Sequence, residues 1–110
     1  MKDDRLYLEH IREAILKIAS YSDGGWKAFS ANPMAQDAVL RNFEIIGEAA
    51  KRLSDASKSR RPDIPWREIA GFRDVLIHNY MGVNLLRVWN VIEKNLPQLQ
   101  RAVDDILKDA

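Results

Sequence analysis

Apolar residues recur at intervals of three and four along most of the 110-residue sequence, and this spacing most strongly constrains the fold. Residues three and four apart share one face of an α-helix, whereas a half-buried strand would alternate apolar and polar positions. The sequence contains no segment with such alternation. We therefore predict an all-α protein that forms a single helical domain over residues 1–110.

Four helices are expected from this spacing. Their predicted bounds are Asp3 to about Ser20, Pro33 to Leu53, Pro65 and Trp66 to about Asn79, and Asn84 to about Leu107. Residues 26–33 are predicted to be a loop that can carry a short helical turn around Trp26 and Phe29, and residues 54–65 are predicted to be a polar loop that contains prolines. Pro97 lies inside the fourth helix, where it removes one backbone hydrogen bond and is expected to kink the helix.

Composition and charge exclude several classes of protein. The chain carries 17 Lys and Arg against 16 Asp and Glu, a formal net charge of +1, so it has no overall attraction to nucleic acid. Cysteine is absent, which excludes disulfides, thiolate metal sites and cysteine nucleophiles. No apolar run approaches the ~18 residues that a membrane span needs, and the first residues do not resemble a signal peptide. These features predict a cytoplasmic protein without membrane association.

The second and fourth predicted helices have wide apolar faces. In the second helix the apolar face comprises Ala38, Val39, Phe43, Ile45, Ile46, Ala49, Ala50 and Leu53. A face of this width contacts more than one neighbour, and four helices offer little surface to cover it. We therefore expect the chain to form a homodimer.

Polar residues interrupt the apolar third helix near its end, and they are the strongest candidates for chemistry. Asp74 and His78 are four residues apart and share a helix face, so the carboxylate can orient the imidazole. Arg73 and His78 lie about 140° apart on an ideal helix, so they converge only if the helix frays at His78 or if two copies face each other. The structural alternative is a capped helix end with a surface pair of Arg73 and Asp74.

A histidine and an arginine suffice for cleavage of RNA, because its 2′-hydroxyl supplies the nucleophile. The histidine transfers protons and the arginine stabilises charge on the phosphate. The sequence has no phosphate-binding glycine loop and no serine in an elbow-like turn. Its two histidines lie far apart, and His10 falls among charged residues where an exposed histidine is expected. We therefore predict neither a metal site nor a cofactor.

Three blocks of the sequence carry a resemblance to a known family. Arg73, His78 and Tyr80 match the R-x4-H-x-Y motif of the HepT-like HEPN ribonuclease toxins. The segments 37–53 and 64–83 resemble the second helix and the motif-bearing helix of that family. The resemblance covers most of the chain from Asn32 to Trp89 and is weaker at both ends.

This resemblance implies a homodimeric HEPN-type bundle of four to five helices, in which arginine and histidine of both subunits face a shared cleft. It implies metal-independent RNA cleavage by Arg73 and His78, with Asp74 in support, in a toxin–antitoxin module. The antitoxin would be a minimal nucleotidyltransferase that transfers AMP to Tyr80. The alternative is a non-catalytic dimeric HEPN subunit that binds nucleotide and such a nucleotidyltransferase. The near-zero net charge favours this alternative, whereas the complete motif favours the ribonuclease.

Two further groups of charged residues each have two interpretations. Glu48 and Arg52 are expected to form a surface ion pair, and a place in the shared cleft is the alternative. The basic residues Lys58, Arg60 and Arg61 fit either a contact with RNA phosphates or an acidic partner, or a solvated loop.

Overall fold

The computed structural model describes the backbone of residues 2–78 and 84–108, and the side chains of residues 3–72 and 84–108. These residues form seven helices and no strand, which confirms the prediction of an all-α bundle. The helices are α1 (Lys2–Tyr21), α2 (Gly25–Ser30), α3 (Pro33–Arg52), α4 (Asp55–Ser59), α5 (Trp66–His78), α6 (Leu85–Lys94) and α7 (Leu96–Lys108). No helix in these ranges is long and apolar enough to cross a membrane.

The predicted second helix is confirmed as α3, and its start has the expected capping chemistry. The side chain of Asn32 accepts a hydrogen bond from the backbone N–H of Ala35 at 3.1 Å. Pro33 occupies the first helical position, where its missing N–H has no consequence for the helix. This cap fixes the point at which the central helix of the bundle begins.

Two short helices lie between the long ones: α2 falls where a short helical turn around Trp26 and Phe29 is expected, and α4 falls in a predicted loop. The first, α2, begins at Gly25, whose φ of +86° is readily adopted only by glycine. The second, α4, shows that the loop prediction for residues 54–65 is wrong over the first half of that segment. The Ser54 hydroxyl caps α4 by accepting from the backbone N–H of Ser57 at 3.2 Å.

The predicted fourth helix is interrupted near Pro97, as expected, but it is divided into α6 and α7 and does not continue as one kinked helix. Proline has no N–H for the carbonyl four residues earlier, and its ring clashes with that carbonyl. Instead, α6 ends at Lys94 and α7 begins at Leu96, so that Pro97 lies in the first turn of α7. Helical hydrogen bonding resumes at once, since the N–H of Leu99 donates to the carbonyl of Asn95 at 3.0 Å.

The core of the bundle is centred on α3, which packs against α1 on one side and α5 on the other. The edge of one ring meets the face of the other where Phe43 of α3 contacts Phe72 of α5, with 5.3 Å between ring centroids. The α1 helix also packs on α7, and α7 packs on α6. Such close contact between apolar side chains is the main source of stability in a bundle of this size.

The apolar face of α3 is covered within a single chain. Its principal residues Val39, Phe43, Ile46, Ala50 and Leu53 are each at most 4% exposed. The width of this face therefore does not by itself require a second copy, and the homodimer has to be argued from other features. The large apolar side chains that remain exposed among the described residues are Leu6, Leu16, Tyr21, Trp26, Met34 and Leu86.

Candidate functional site

The α5 helix carries three of the four predicted site residues. It extends from Trp66 to His78, so Arg73, Asp74 and His78 all occupy helical backbone positions. The predicted helix is confirmed over Trp66–His78. Tyr80 lies outside the described residues, and the described side chains of α5 end at Phe72.

Helix geometry brings two of these positions together and separates the third. Asp74 and His78 are one turn apart on the same face of α5. Arg73 is about 140° away from His78 around the helix axis. Since the backbone is helical through His78, fraying before that residue does not bring Arg73 towards it.

The helix α5 is held in place by contacts at its N-terminal end and near its middle. Trp66 is buried, with 7% of its surface exposed. Its indole N–H donates to the backbone carbonyl of Lys58 at 3.2 Å and to that of Arg61 at 3.1 Å. One and a half turns later, Phe72 packs on α3. The motif-bearing end of α5 therefore continues from a helix that is fixed at two points.

The face of α5 that holds Asp74 and His78 continues back towards its start. Arg67, Gly71, Asp74 and His78 follow one another at intervals of four, three and four, so their positions fall within about 60° around the axis. The side chain of Arg67 is exposed. Arg67 and Gly71 were not predicted as site residues, although the spacing that pairs Asp74 with His78 also includes these two positions.

An apolar groove lies on another side of α5, where α3, α5, α6 and α7 meet. Its volume is about 210 Å³. Apolar side chains, among them Ile46, Ile69, Phe72, Val91 and Leu99, form most of its wall. Glu68, Arg87 and Asn95 lie at this groove as well. The groove suits packing against another apolar group better than it suits catalysis.

A polar cleft of about 290 Å³ lies between α1 and α3, and His10 lines it. His10 is exposed there, as predicted, with its ring 6.4 Å from that of Tyr7. Arg52 donates to Glu48 at 3.0 Å, which confirms the predicted ion pair. Hydrogen bonds from Arg52 to Glu48 and then to Tyr7 raise the pKa of the Arg52 guanidinium.

Charge in this cleft is balanced, because Arg41 pairs with Glu44 at 3.4 Å and Arg52 pairs with Glu48. Such a cleft has no excess charge with which to bind an anion. The described geometry therefore favours the surface ion pair over a role for Glu48 in the shared cleft.

The basic cluster Lys58, Arg60 and Arg61 is partly engaged within the chain. Arg61 donates to Asp63 at 2.9 Å and to Asp105 of α7 at 2.6 Å. Hydrogen bonding with Asp63 raises the pKa of Arg61. Arg61 thereby links the segment after α4 to α7, and its charge is compensated rather than available for phosphate.

The described residues contain no cluster of three or more histidine, aspartate or glutamate side chains able to hold a metal ion. The described helices, with Asp74 and His78 at positions on one face of α5, define the class as an all-α helical bundle.

Comparison with known proteins assigns this bundle to a family. Residues 11–106 match the family model described as ribonuclease HepT-like, and the chain belongs to that family. It is 41% identical over 109 residues to the protein named "Putative RNase TTE0752" of Caldanaerobacter subterraneus subsp. tengcongensis, covering 98% of this chain and 97% of that protein. No significant match was found among solved structures.

A second relative carries the family name itself. The chain is 39% identical over 103 residues to the protein named "Probable ribonuclease HepT" of Thermococcus cleftensis, covering 93% of this chain and 94% of that protein. The resemblance stated from the sequence is thereby confirmed, and the chain is assigned to the ribonucleases.

Proposed function

We propose that the protein is a metal-independent endoribonuclease toxin that acts in the cytoplasm, with Arg73 and His78 as its catalytic residues. The observation that carries this proposal is the position of His78 one turn beyond Asp74 on a helix fixed by packing, in a chain of the HepT-like ribonuclease family. Asp74 holds the imidazole in one tautomer and orientation.

The proposed reaction is an internal transfer of the phosphate. The 2′-hydroxyl of the RNA loses its proton to a base, and its oxygen attacks the adjacent phosphorus. The bond from phosphorus to the 5′-oxygen then breaks, and that oxygen takes up a proton. The products are a 2′,3′-cyclic phosphate and a 5′-hydroxyl. His78 serves as the base or as the acid, and Arg73 stabilises the additional negative charge on the phosphate.

A homodimer is part of this proposal. The positions of Arg73 and His78 diverge around one helix, so the two side chains reach one phosphate most readily when a second copy supplies one of them. The apolar groove beside α5 offers surface for such a contact, because Ile69, Phe72 and Val91 lie along it. A two-fold arrangement would place both motifs at one shared cleft.

The test of the chemistry compares the wild type with His78→Ala and Arg73→Ala. Each substitution should lower the cleavage rate of RNA at least ~100-fold, since each removes a proton-transfer group or a charge-stabilising group. Helical content by circular dichroism should not change. Cleavage should persist in EDTA, and mass spectrometry should identify the 2′,3′-cyclic phosphate. Folded variants that cut RNA normally, or cleavage abolished by EDTA, would contradict the mechanism.

We further propose that the partner is a minimal nucleotidyltransferase and that it transfers AMP to Tyr80. The support is the R-x4-H-x-Y motif, in which Tyr80 follows His78 by two residues. A phosphodiester on this tyrosine would add a negative charge and a bulky nucleoside near Arg73 and His78. The arginine would pair with that phosphate in place of RNA, so modification would inhibit cleavage without unfolding the protein.

Intact-mass spectrometry tests this regulation. After incubation with the partner, ATP and magnesium, the wild type should gain the mass of AMP and lose RNA cleavage. Tyr80→Phe should keep its fold and show no gain. An unchanged wild-type mass, or the same gain in Tyr80→Phe, would exclude Tyr80 as the acceptor.

A further inference from the structure

We propose that the RNA strand extends from the motif along the α5 surface formed by Arg67 and Gly71, with Arg67 bound to a phosphate away from the cleaved bond. We call this surface the 67/71 face. The inference rests on the proposed function, because it places the substrate of the same site. It adds a binding residue outside the R-x4-H-x-Y motif.

The first support is the uncompensated charge of Arg67. Among the described residues, ion pairs engage the arginines Arg5, Arg12, Arg41, Arg52 and Arg61. Arg67 is exposed and has no hydrogen bond or ion pair with any described residue. A free guanidinium is well suited to phosphate, which it can bind through two parallel hydrogen bonds.

The second support is Gly71, one turn further along the same face. A glycine in the middle of a helix makes that helix less stable than an alanine would, so the presence of glycine at this position calls for a structural or functional reason. Apart from the two residues next to Gly71 and the nearby backbone of α5 itself, no described heavy atom lies within 4 Å of a Cβ built at Gly71, so packing against the described chain does not require a glycine there. Access of a ligand to the helix backbone would explain it.

The third support is the continuity of the 67/71 face with the motif. At 1.5 Å per residue, Arg67 lies roughly 10 Å along the axis from Asp74 and roughly 16 Å from His78. About five stacked nucleotides span the longer distance, at ~3.4 Å each. Asp74 lies between the two ends, and in the proposed mechanism its charge is paired with His78.

The composition of the 67/71 face favours RNA over a protein partner. The centre of a protein interface is usually built from large apolar and aromatic side chains. The exposed large apolar residues of the described chain lie on α1, α2, α3 and α6, and none of them is on α5. A positive charge beside accessible backbone is instead complementary to a phosphodiester strand.

Arg67→Ala tests the inference, with Arg101→Ala as the matched control, because Arg101 is also exposed and unpaired among the described residues but lies on α7. For a ten-nucleotide RNA, Arg67→Ala should raise KM about tenfold, whereas kcat stays within about twofold. The slope of the logarithm of the binding constant against the logarithm of the salt concentration should fall by the amount that about one lost phosphate contact gives. A trinucleotide, too short to reach Arg67, should be cleaved as by the wild type. Arg101→Ala should match the wild type on both substrates.

Gly71→Ala supplies a second measurement. It should raise the melting temperature, yet weaken cleavage of the ten-nucleotide RNA more than that of the trinucleotide. Equal KM values for Arg67→Ala and the wild type on the longer RNA would overturn the inference. So would a change of oligomeric state in Gly71→Ala, because the face would then belong to a protein contact.

Binding measured in a His78→Ala background separates this inference from the proposed function. Fluorescence anisotropy with the labelled ten-nucleotide RNA should show weaker binding when Arg67→Ala is added. If the wild type does not cleave RNA but Arg67→Ala still weakens binding in the His78→Ala background, only the nuclease proposal is refuted. If the wild type cleaves RNA but Arg67→Ala does not weaken binding in that background, only the role of Arg67 is refuted.

Discussion

Asp4 is a charged residue that the bundle buries almost completely, with 5% of its surface exposed. It accepts hydrogen bonds from the backbone N–H of Ser54 at 3.0 Å, from the Ser54 hydroxyl, and from the Ser57 hydroxyl at 2.7 Å. Burial raises the pKa of Asp4, but the three hydrogen bonds together outweigh it and hold the pKa below its ordinary value. The ionised form is therefore the one that stabilises the fold.

Asp4→Asn should lower the free energy of unfolding at pH 7 by about 1–3 kcal/mol, because hydroxyl and amide donors lose a charged acceptor. A pKa lowered in the folded state contributes stability above the ordinary carboxyl value, and this contribution is lost as the pH falls through the folded value. The wild type should therefore lose more stability than Asp4→Asn between about pH 6 and pH 3. Urea unfolding at both pH values measures this, with exposed Asp3→Asn as the control. Equal pH dependence of Asp4→Asn and the wild type would contradict this role of Asp4.

Contacts within one helix were predictable from the sequence, whereas contacts between helices were not. The pair of Glu48 and Arg52 and the exposure of His10 follow from spacing and neighbouring residues. The partners of Asp4 lie some 50 residues away, and only the packing of α1 against the end of α3 brings them together. The same limit applies to the candidate site, since spacing pairs Asp74 with His78 but cannot place Arg73 against a histidine of another copy.

At the level of helices, the long elements α1, α3 and α5 and the short turn around Trp26 and Phe29 were predictable, whereas α4 was not. The bounds of α1, α3 and α5 agree with the apolar spacing to within one or two residues. The five residues of α4 include too few apolar positions to show a helical period, so only the capping residue Ser54 could have indicated it. Pro97 indicated a disturbance, but whether a helix bends or ends there depends on how both halves pack.

At the level of the whole molecule, the proposed dimer makes a prediction about mixtures of inactive variants. If Arg73 of one copy acts with His78 of the other, a dimer of one Arg73→Ala chain and one His78→Ala chain retains one intact site. After random mixing, half of all dimers contain one chain of each variant. Each of these mixed dimers has one intact site out of two, so about a quarter of wild-type cleavage should return. The measurement is RNA cleavage after the two folded variants are unfolded together and refolded.

Two controls make the mixing experiment decisive. Each variant refolded alone should remain inactive, and light scattering should report a dimer for all samples. A monomer at micromolar concentration, or a dimeric mixture without activity, would show that the site is not shared between subunits in this way.

The packing of α1 against α7 has a consequence for synthesis on the ribosome. The two helices contact each other and are joined by the ion pair of Arg12 and Asp104 at 3.5 Å. The apolar face of α1, which includes the buried Ile11, Ile15 and Ile18, is made early, whereas α7, which packs on α1, is made last of the described helices. A nascent chain that stops before α7 would expose this face and be open to proteases and chaperones. Interrupted translation would thus yield a degradable fragment instead of a folded bundle.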